Sequence, residues 1–337
     1  MLVDVLQRRV KDLRISVTDR CNLRCTYCMP LEIYTWINRE EILSYEEITR
    51  LARLFVRLGV EKIRITGGEA LVRRDLHQLV AGISALAGLR DLCLTTNGVL
   101  LAQQAPLLAA AGLKRINVSV DTLDPATFRR MTGRDNLSQV LDGLLAARRC
   151  GLLPIKINAV IIRGVNDKEI LPMVDFARHH GFAIRFIEFM DVGNVNQWHS
   201  DKLVSKREIL QIIHARYPLR EIGREEHGAP AIGYGFEDGR GEVGVIASVT
   251  EPFCAGCTRL RLTADGKLVT CLFSASGHDV KSLLRGGASD EEILAFIRSV
   301  WQARADRYSE ERHAALSSGK DYRSADRTKI EMIRLGG

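Results

Sequence analysis

What most constrains this chain is the regular order in which short, strand-like apolar runs alternate with longer stretches of helical periodicity through its first 190 residues. Leu13–Thr18, Lys62–Thr66, Leu92–Thr96, Arg115–Asp121, Pro154–Ile162 and Ala183–Met190 read as strands. Apolar residues recur at helical spacing over 44–58, 75–87, 100–111, 137–150 and 168–180. The first of these helices opens on a capping box, Ser44 with Glu47, and stops at Gly59. Six strand–helix units in a row predict a parallel sheet, because parallel neighbours need a crossover between them. They are too few to close an eightfold barrel. The economical α/β architecture is therefore a partial (β/α)6 barrel of the TIM type, with a doubly wound open sheet as its competitor. In both, functional groups gather where strands end. The polar residues of this chain concentrate there: Thr18, Thr66 to Glu69, Thr95 to Asn97, Ser119, Asp121, Lys156, and Met190 with Asp191.

Past about residue 215 the rhythm changes. The short runs 231–236 and 242–246, both with glycine, and 259–263 read as antiparallel strands, Asp265 with Gly266 as a hairpin turn, and 290–306 as a helix. The expected organisation is a barrel over 1–215 and a C-terminal, antiparallel β-containing extension over 216–337.

The first ten residues hold no apolar core of signal-peptide length and no run of 18 apolar residues occurs, which predicts a cytoplasmic protein without a membrane partner. In that compartment eight cysteines argue for metal or redox use rather than a disulfide framework. Cys93 and Cys150 stand alone in apolar stretches and read as core, while the other six form two triplets. Cys21, Cys25 and Cys28 form C-x3-C-x2-C directly behind the first strand. A structural zinc site would need a fourth ligand from elsewhere, whereas an iron–sulfur cluster on three cysteines keeps one iron open for chemistry. Cys254, Cys257 and Cys271 form C-x2-C-x13-C, again three thiols, with His278 as the best substitute for a fourth zinc ligand. Spacing alone leaves both metals open.

A net charge of +7 admits nucleic acid, a nucleoside triphosphate or an acidic protein as partner. The placement of the cations narrows this. Arg14, Arg64, Lys156 and Arg185 lie mid-strand in four different runs, and Arg259 and Arg261 alternate on one face of a fifth. An unpaired charge is costly to bury, and Glu69, Asp121 and Glu188 are too few to pair them all. A triphosphate inside the barrel satisfies the count, since forked guanidinium groups suit phosphate oxygens.

Taken together with Gly67-Gly68-Glu69 and the closing Gly336-Gly337, these motifs resemble those of the GTP 3',8-cyclases almost from end to end. These are the radical S-adenosylmethionine (SAM) enzymes that begin molybdenum cofactor biosynthesis. The resemblance implies two 4Fe–4S clusters, one on Cys21, Cys25 and Cys28 that binds and reduces SAM, and one on Cys254, Cys257 and Cys271 that meets the guanine base. It implies a SAM pocket of Tyr27, Gly68, Ser119 and Met190, and GTP contacts from Arg14, Arg64, Thr95, Lys156, Arg185, Arg259 and Arg261. Gly336 and Gly337, which with Arg14 make up the implied catalytic set, would reach into the active site where backbone must approach closely. A 5'-deoxyadenosyl radical would take hydrogen from C3' of GTP, and C3' would then bond to C8. A homodimer, an external electron donor of flavodoxin or ferredoxin type, and transfer of product to cyclic pyranopterin monophosphate synthase follow from the same resemblance. One departure is visible, Ala70 where the family reads proline after Gly-Gly-Glu.

Two rivals remain at this stage. A radical SAM enzyme acting on a peptide would carry more cysteines in its auxiliary region than the three found here. A zinc-binding nucleic-acid module would place its basic residues on an exposed face, against which the mid-strand Arg14, Arg64 and Arg185 count.

Overall fold

The computed structural model describes residues 2–29, 34–318 and 328–336. Strands β1 (Asp12–Ser16), β2 (Lys62–Thr66), β3 (Asp91–Thr96), β4 (Arg115–Ser119), β5 (Ile155–Ile161) and β6 (Ala183–Glu188) lie side by side in chain order, all parallel. The crossovers between them carry α1 (Tyr45–Arg57), α2 (Leu76–Ser84), α3 (Leu101–Ala110), α4 (Pro125–Thr132), α5 (Leu137–Arg149) and α6 (Ile170–His180). After α7 (Lys206–His214) come β7 (Leu219–Gly223), β8 (Ile232–Phe236), β9 (Glu242–Ile246), β10 (Arg259–Leu262), β11 (Lys267–Val269) and β12 (His278–Asp279). The chain ends through α8 (Lys281–Arg285), α9 (Asp290–Gln302), α10 (Tyr308–Ser317) and α11 (Met332–Leu335).

All twelve strands join one sheet, in the order β12-β11-β10-β1-β2-β3-β4-β5-β6-β9-β8-β7. The reading of 242–246 and 259–263 as antiparallel holds on one edge of each strand and misses the other. β9 is antiparallel to β8 but parallel to β6, and β10 is antiparallel to β11 but parallel to β1. Six parallel strands thereby become eight. An alternating pattern marks a strand without naming its partner, and direction follows from the connections. The trace of parallel pairing in the residues is burial on both faces, as in Arg259–Leu262, where all four residues are buried.

Alternation along these strands separates two environments. Leu13, Ile15, Ile63, Ile65, Leu260 and Leu262 are buried outward with Leu51, Leu54 and Phe55 of α1 in a single apolar core. The intervening residues, Arg14, Arg64 and Arg261 among them, point the other way into a cavity of about 320 Å³. Side chains from β10, β1 to β6 and β9 all line that cavity, so the sheet curls around it.

The capping box on α1 is present, Ser44 Oγ accepting from the Glu47 amide at 3.2 Å and Glu47 Oε2 from the Ser44 amide at 2.7 Å. Ser205 with Glu208 and Ser289 with Glu292 repeat it on α7 and α9. Helix α4 escapes periodicity because it is only two turns long, yet its signals are local. Asp124 accepts from the Thr127 amide at 2.7 Å, Pro125 opens the first turn, and Gly133 closes it at φ +68°. Helix α9 packs on α1 through Arg50 and Asp290 at 2.8 Å, and its Trp301 indole donates to the Arg8 carbonyl at 3.0 Å.

Candidate functional site

The cavity collects most of the residues singled out in the sequence: Arg14, Tyr27, Arg64, Gly68, Thr95, Ser119, Arg185, Met190, Arg259 and Arg261 line it with both cysteine triplets, while Lys156 and Gly336 do not. Cys21, Cys25 and Cys28 line one part, and Cys254, Cys257 and Cys271 another. None of these thiols is in a disulfide. Among the described residues no three His, Cys, Asp or Glu side chains group around the position of a single ion. The thiols face a shared space instead, as ligands to separate irons of one cluster do. Burial pushes the Cys21 thiol up to about 11 and Cys28 to about 12, so a bound metal must supply the charge that holds them as thiolates. Cys21 Sγ also accepts from the Leu23 amide at 3.4 Å and from Asn97 Nδ2 at 3.9 Å.

The loop after β2 explains why two glycines precede Glu69. A Cβ on Gly67 would fall 2.8 Å from the Thr18 carbonyl, and one on Gly68 would fall 2.5 Å from that of Arg20. Only hydrogen fits between this loop and the backbone that leads into Cys21. Glu69, 2% exposed, ties the loop to the end of β3: its carboxylate accepts from Leu71 N at 2.9 Å, Thr96 Oγ1 at 2.7 Å and Asn97 N at 2.6 Å. Tyr27, one residue before Cys28, is anchored by its hydroxyl donating to Asp121 Oδ2 at 2.7 Å. Burial raises Asp121 to about 6, against the pull of Tyr27 and of Val160 N. Ser119 and Met190 stand on the same wall, Met190 Sδ accepting from Ser248 Oγ at 3.4 Å.

At the second triad Cys257 differs from its neighbours. Arg259 donates to its Sγ through Nε at 3.3 Å and Nη2 at 3.1 Å, and Arg304 through Nη2 at 3.1 Å. Burial acts to raise this thiol, but Arg259 and Arg304 outweigh it and hold it lowered at about 6. Arg304 carried no signal in the sequence. It arrives from the loop after α9, braced by Asp4 and Asp306.

The same cavity wall carries the feature that decides what the cavity takes. Arg261, Arg14 and Arg64 are Cα partners across β10, β1 and β2, so three arginines stand in register on adjacent strands. The Nε atoms of all three are buried without a hydrogen-bond partner. Burial, then Arg261 and Arg64, pulls Arg14 well below the ordinary arginine range, and burial with Arg259 lowers Arg261 to about 10. Guanidinium groups stay charged in proteins, so the physical content is a concentration of unneutralised positive charge. Thr95 Oγ1 on β3 is also buried and unpartnered. Lys156 and Arg185, read as part of the same set, are instead met by Glu225, a carboxylate the sequence reading did not weigh. Asp91 likewise pairs Arg115.

The C-terminal segment reaches this site. Gly336 has φ +70°, and a Cβ there would fall 2.3 Å from Thr66 Cγ2 at the end of β2. Gly337 lies outside the described residues. The segment is held by Lys329 Nζ on Asp191 Oδ2 at 2.8 Å and Asn194 Nδ2 on Glu331 Oε1 at 2.7 Å.

Residues 15–177 match the Radical SAM superfamily, and residues 182–310 match the family described as Molybdenum Cofactor Synthesis C. The chain is 49% identical to the GTP 3',8-cyclase of Acidothermus cellulolyticus, over 99% of this chain and 98% of that one. It is 46% identical to the GTP 3',8-cyclase of Xanthomonas axonopodis pv. citri, over 98% and 97%. Among solved structures, Streptococcus suis SuiB bound to S-adenosylmethionine shares the fold at a TM-score of 0.61 and 17% identity, over 86% of this chain and 68% of that one. Identity of nearly one residue in two, sustained over the whole of both chains, is the mark of a single family, and this chain belongs to the GTP 3',8-cyclases of the radical SAM superfamily.

Proposed function

We propose that Arg261, Arg14 and Arg64 hold the phosphates of GTP while the second cysteine triad faces its base, which leaves the ribose toward the first triad. The protein is a radical SAM enzyme that converts GTP to (8S)-3',8-cyclo-7,8-dihydroguanosine 5'-triphosphate, the first step of molybdenum cofactor biosynthesis. Its cofactors are two 4Fe–4S clusters and SAM, in place of the zinc that spacing left open. The observation that carries the site assignment is the row of three arginines whose Nε atoms are buried without a hydrogen-bond partner, on the wall that also carries both triads.

Cys21, Cys25 and Cys28 would hold the cluster that supplies the electron for reductive cleavage of SAM, and Cys254, Cys257 and Cys271 would hold the one that receives the guanine base. The chain's own residues do the rest by position. Gly67 and Gly68 let the loop after β2 pack against the backbone that leads into Cys21, and Gly68, Tyr27, Ser119 and Met190 shape the pocket around SAM. Thr95, Arg259, Lys156 and Arg185 extend the hold on GTP begun by the arginine row. Fixing the nucleotide at both ends turns a bimolecular encounter into a step between placed groups. Gly336 covers the reacting centre, and cover matters because a carbon radical must be kept from competing hydrogen donors.

Anaerobic, iron- and sulfide-reconstituted protein incubated with SAM, reductant and GTP should give 5'-deoxyadenosine together with a cyclised GTP product. ATP or no nucleotide should give little of either. 5'-Deoxyadenosine with GTP untouched would overturn the substrate assignment, and neither product would overturn the reading. Family membership also supports a homodimer working in the cytoplasm, a flavodoxin- or ferredoxin-type donor, and cyclic pyranopterin monophosphate synthase as the receiver of product. No described helix is long and apolar enough to cross a membrane.

A further inference from the structure

Beyond the arginine row the cavity wall carries Arg185 on β6, with Lys156 on the neighbouring β5, and there the cations already have an anion. The Glu225 carboxylate accepts from Lys156 Nζ and lies 3.2 Å from Arg185 Nη2, while Glu226 accepts from Lys62 on β2. Lys156 is almost fully buried, whereas the Glu225 side chain is 52% exposed, so the pair consists of a fixed cation and an accessible carboxylate. Burial acts to raise Glu225, but Lys156 and Arg185 outweigh it and hold the group at about 2, ionised at any working pH.

Both carboxylates sit on the loop 224–230 between β7 and β8, and the loop's other bonds run elsewhere. Ala229 N donates to the Glu226 carbonyl at 3.0 Å, and Arg224 Nη1 to the Ala229 and Pro230 carbonyls at 2.5 and 2.9 Å. Arg224 lies over the Phe253 ring at 5.6 Å, and Gly228, at φ +87°, is pressed so close to Gly256 that a Cβ would fall 2.1 Å from its carbonyl. The loop is therefore anchored to the segment of the second triad and latched to the barrel wall by ion pairs. Glu225, Glu226 and Gly228 all face the cavity.

A phosphate chain and Glu225 cannot hold Lys156 and Arg185 at once without placing like charges against each other. Resting on the functional reading above, we propose that Glu225 is a specificity-determining residue that stands in for a phosphate. It neutralises Lys156 and Arg185 until the phosphate chain of the nucleotide displaces it, and the full cation set opens only to a ligand charged enough to take both. The same device keeps two buried cations paired in the nucleotide-free protein, where they would otherwise oppose folding.

The test uses the reconstituted holoenzyme and calorimetric titration with GTP, GDP and guanosine, comparing the wild type with Glu225→Gln. The substitution keeps the shape of the side chain and removes its charge. GTP should bind about tenfold more tightly to Glu225→Gln, the preference for GTP over GDP should narrow, and guanosine should bind as before. Unchanged or weaker GTP binding would overturn the inference, because Glu225 would then be orienting the two cations rather than competing for them. Equal tightening for guanosine would overturn it as well, since that is a loss of bulk and not of charge. A wild type that binds GTP but is insensitive to the substitution refutes this inference alone, and one that binds no nucleotide refutes the functional reading. A second readout needs no variant. Trypsin cleavage after Arg224 in the wild type should quicken with GTP and not with guanosine, and protection of that bond by GTP would contradict displacement.

Discussion

Replacing Arg14 by methionine should make the protein more stable and worse at its task, and the two effects have the same cause. Arg14 lies between Arg261 and Arg64 in register on adjacent strands, with an unpartnered, buried Nε on each. Neighbouring strands are roughly 4.8 Å apart. Two guanidinium groups about 5 Å apart repel by about 3 kcal/mol at an effective dielectric near 20. Arg14 has two such neighbours, and the flexible heads splay to relieve part of the repulsion, so about 2 kcal/mol is the expected gain when the central charge goes. Methionine keeps most of the buried stem, so little packing is lost against it. On the functional side a forked contact to phosphate is removed, and with charge-assisted bonds at roughly 1.5–3 kcal/mol each, two of them correspond to a loss of about a hundredfold or more in GTP affinity. The assay is urea unfolding of nucleotide-free, cluster-loaded Arg14→Met beside calorimetric titration of GTP. Stability up and affinity down is the expected pair of signs. A variant that unfolds at lower urea and binds GTP as before would refute the reasoning, since Arg14 would then be a structural residue with a partner other than phosphate.

Three further outcomes follow from single contacts. Gly68→Ala places a Cβ 2.5 Å from the Arg20 carbonyl, so the loop must shift away from the first triad; 5'-deoxyadenosine formation should fall at least about tenfold while the iron bound by the second triad is retained. Gly336→Ala meets Thr66 Cγ2 at 2.3 Å and adds a left-handed strain of roughly 1–2 kcal/mol. Cyclised product should then drop with SAM cleavage preserved, and Thr66→Ser in the same chain should restore part of it by removing that methyl group. The third concerns Asp191, fully buried, which accepts from Arg312 and from Tyr308 and Lys329 at 2.5 and 2.8 Å. Burial alone would raise it, but Arg312 and Lys329 hold it down at about 2 against an ordinary 3.8. A depressed carboxylate stabilises the fold above its unfolded value and loses that stabilisation as pH falls through the folded one. The stability difference between wild type and Asp191→Asn should therefore be full above about pH 5 and shrink by about 2.5 kcal/mol toward pH 1, as read by urea unfolding at each pH. A difference independent of pH would contradict the pairing.

The behaviour of Arg14 also shows how far the residues themselves could be read. Its mid-strand position announced a buried cation in need of an anion, and so did those of Arg64 and Arg261. That the three share one register was not legible, because it requires β10 to pair parallel with β1 across more than 240 residues of chain. The first six strands were legible from their alternation with helices, whereas the parallel partners of β9 and β10 depend on a topology that such short runs do not encode. The cysteine spacings and Gly67-Gly68 pointed to the triads and to the close approach beside Cys21 from local pattern alone. Glu225, Arg304 and Asp191 with Lys329 are partners brought from distant segments by the fold, and no spacing in the chain connects them to Lys156, Cys257 or the C-terminal segment. Helix α4 lies between these cases, since Asp124, Pro125 and Gly133 form a complete set of local start and stop signals around a stretch too short for periodicity to register.

The most direct test of the central claim is an anaerobic crystal structure of the reconstituted protein with GTP. The account predicts three phosphates along Arg261, Arg14 and Arg64, the base at the triad of Cys254, Cys257 and Cys271, and Glu225 released from Lys156 and Arg185. Phosphates seated elsewhere, with the arginine row still unpartnered, would contradict it.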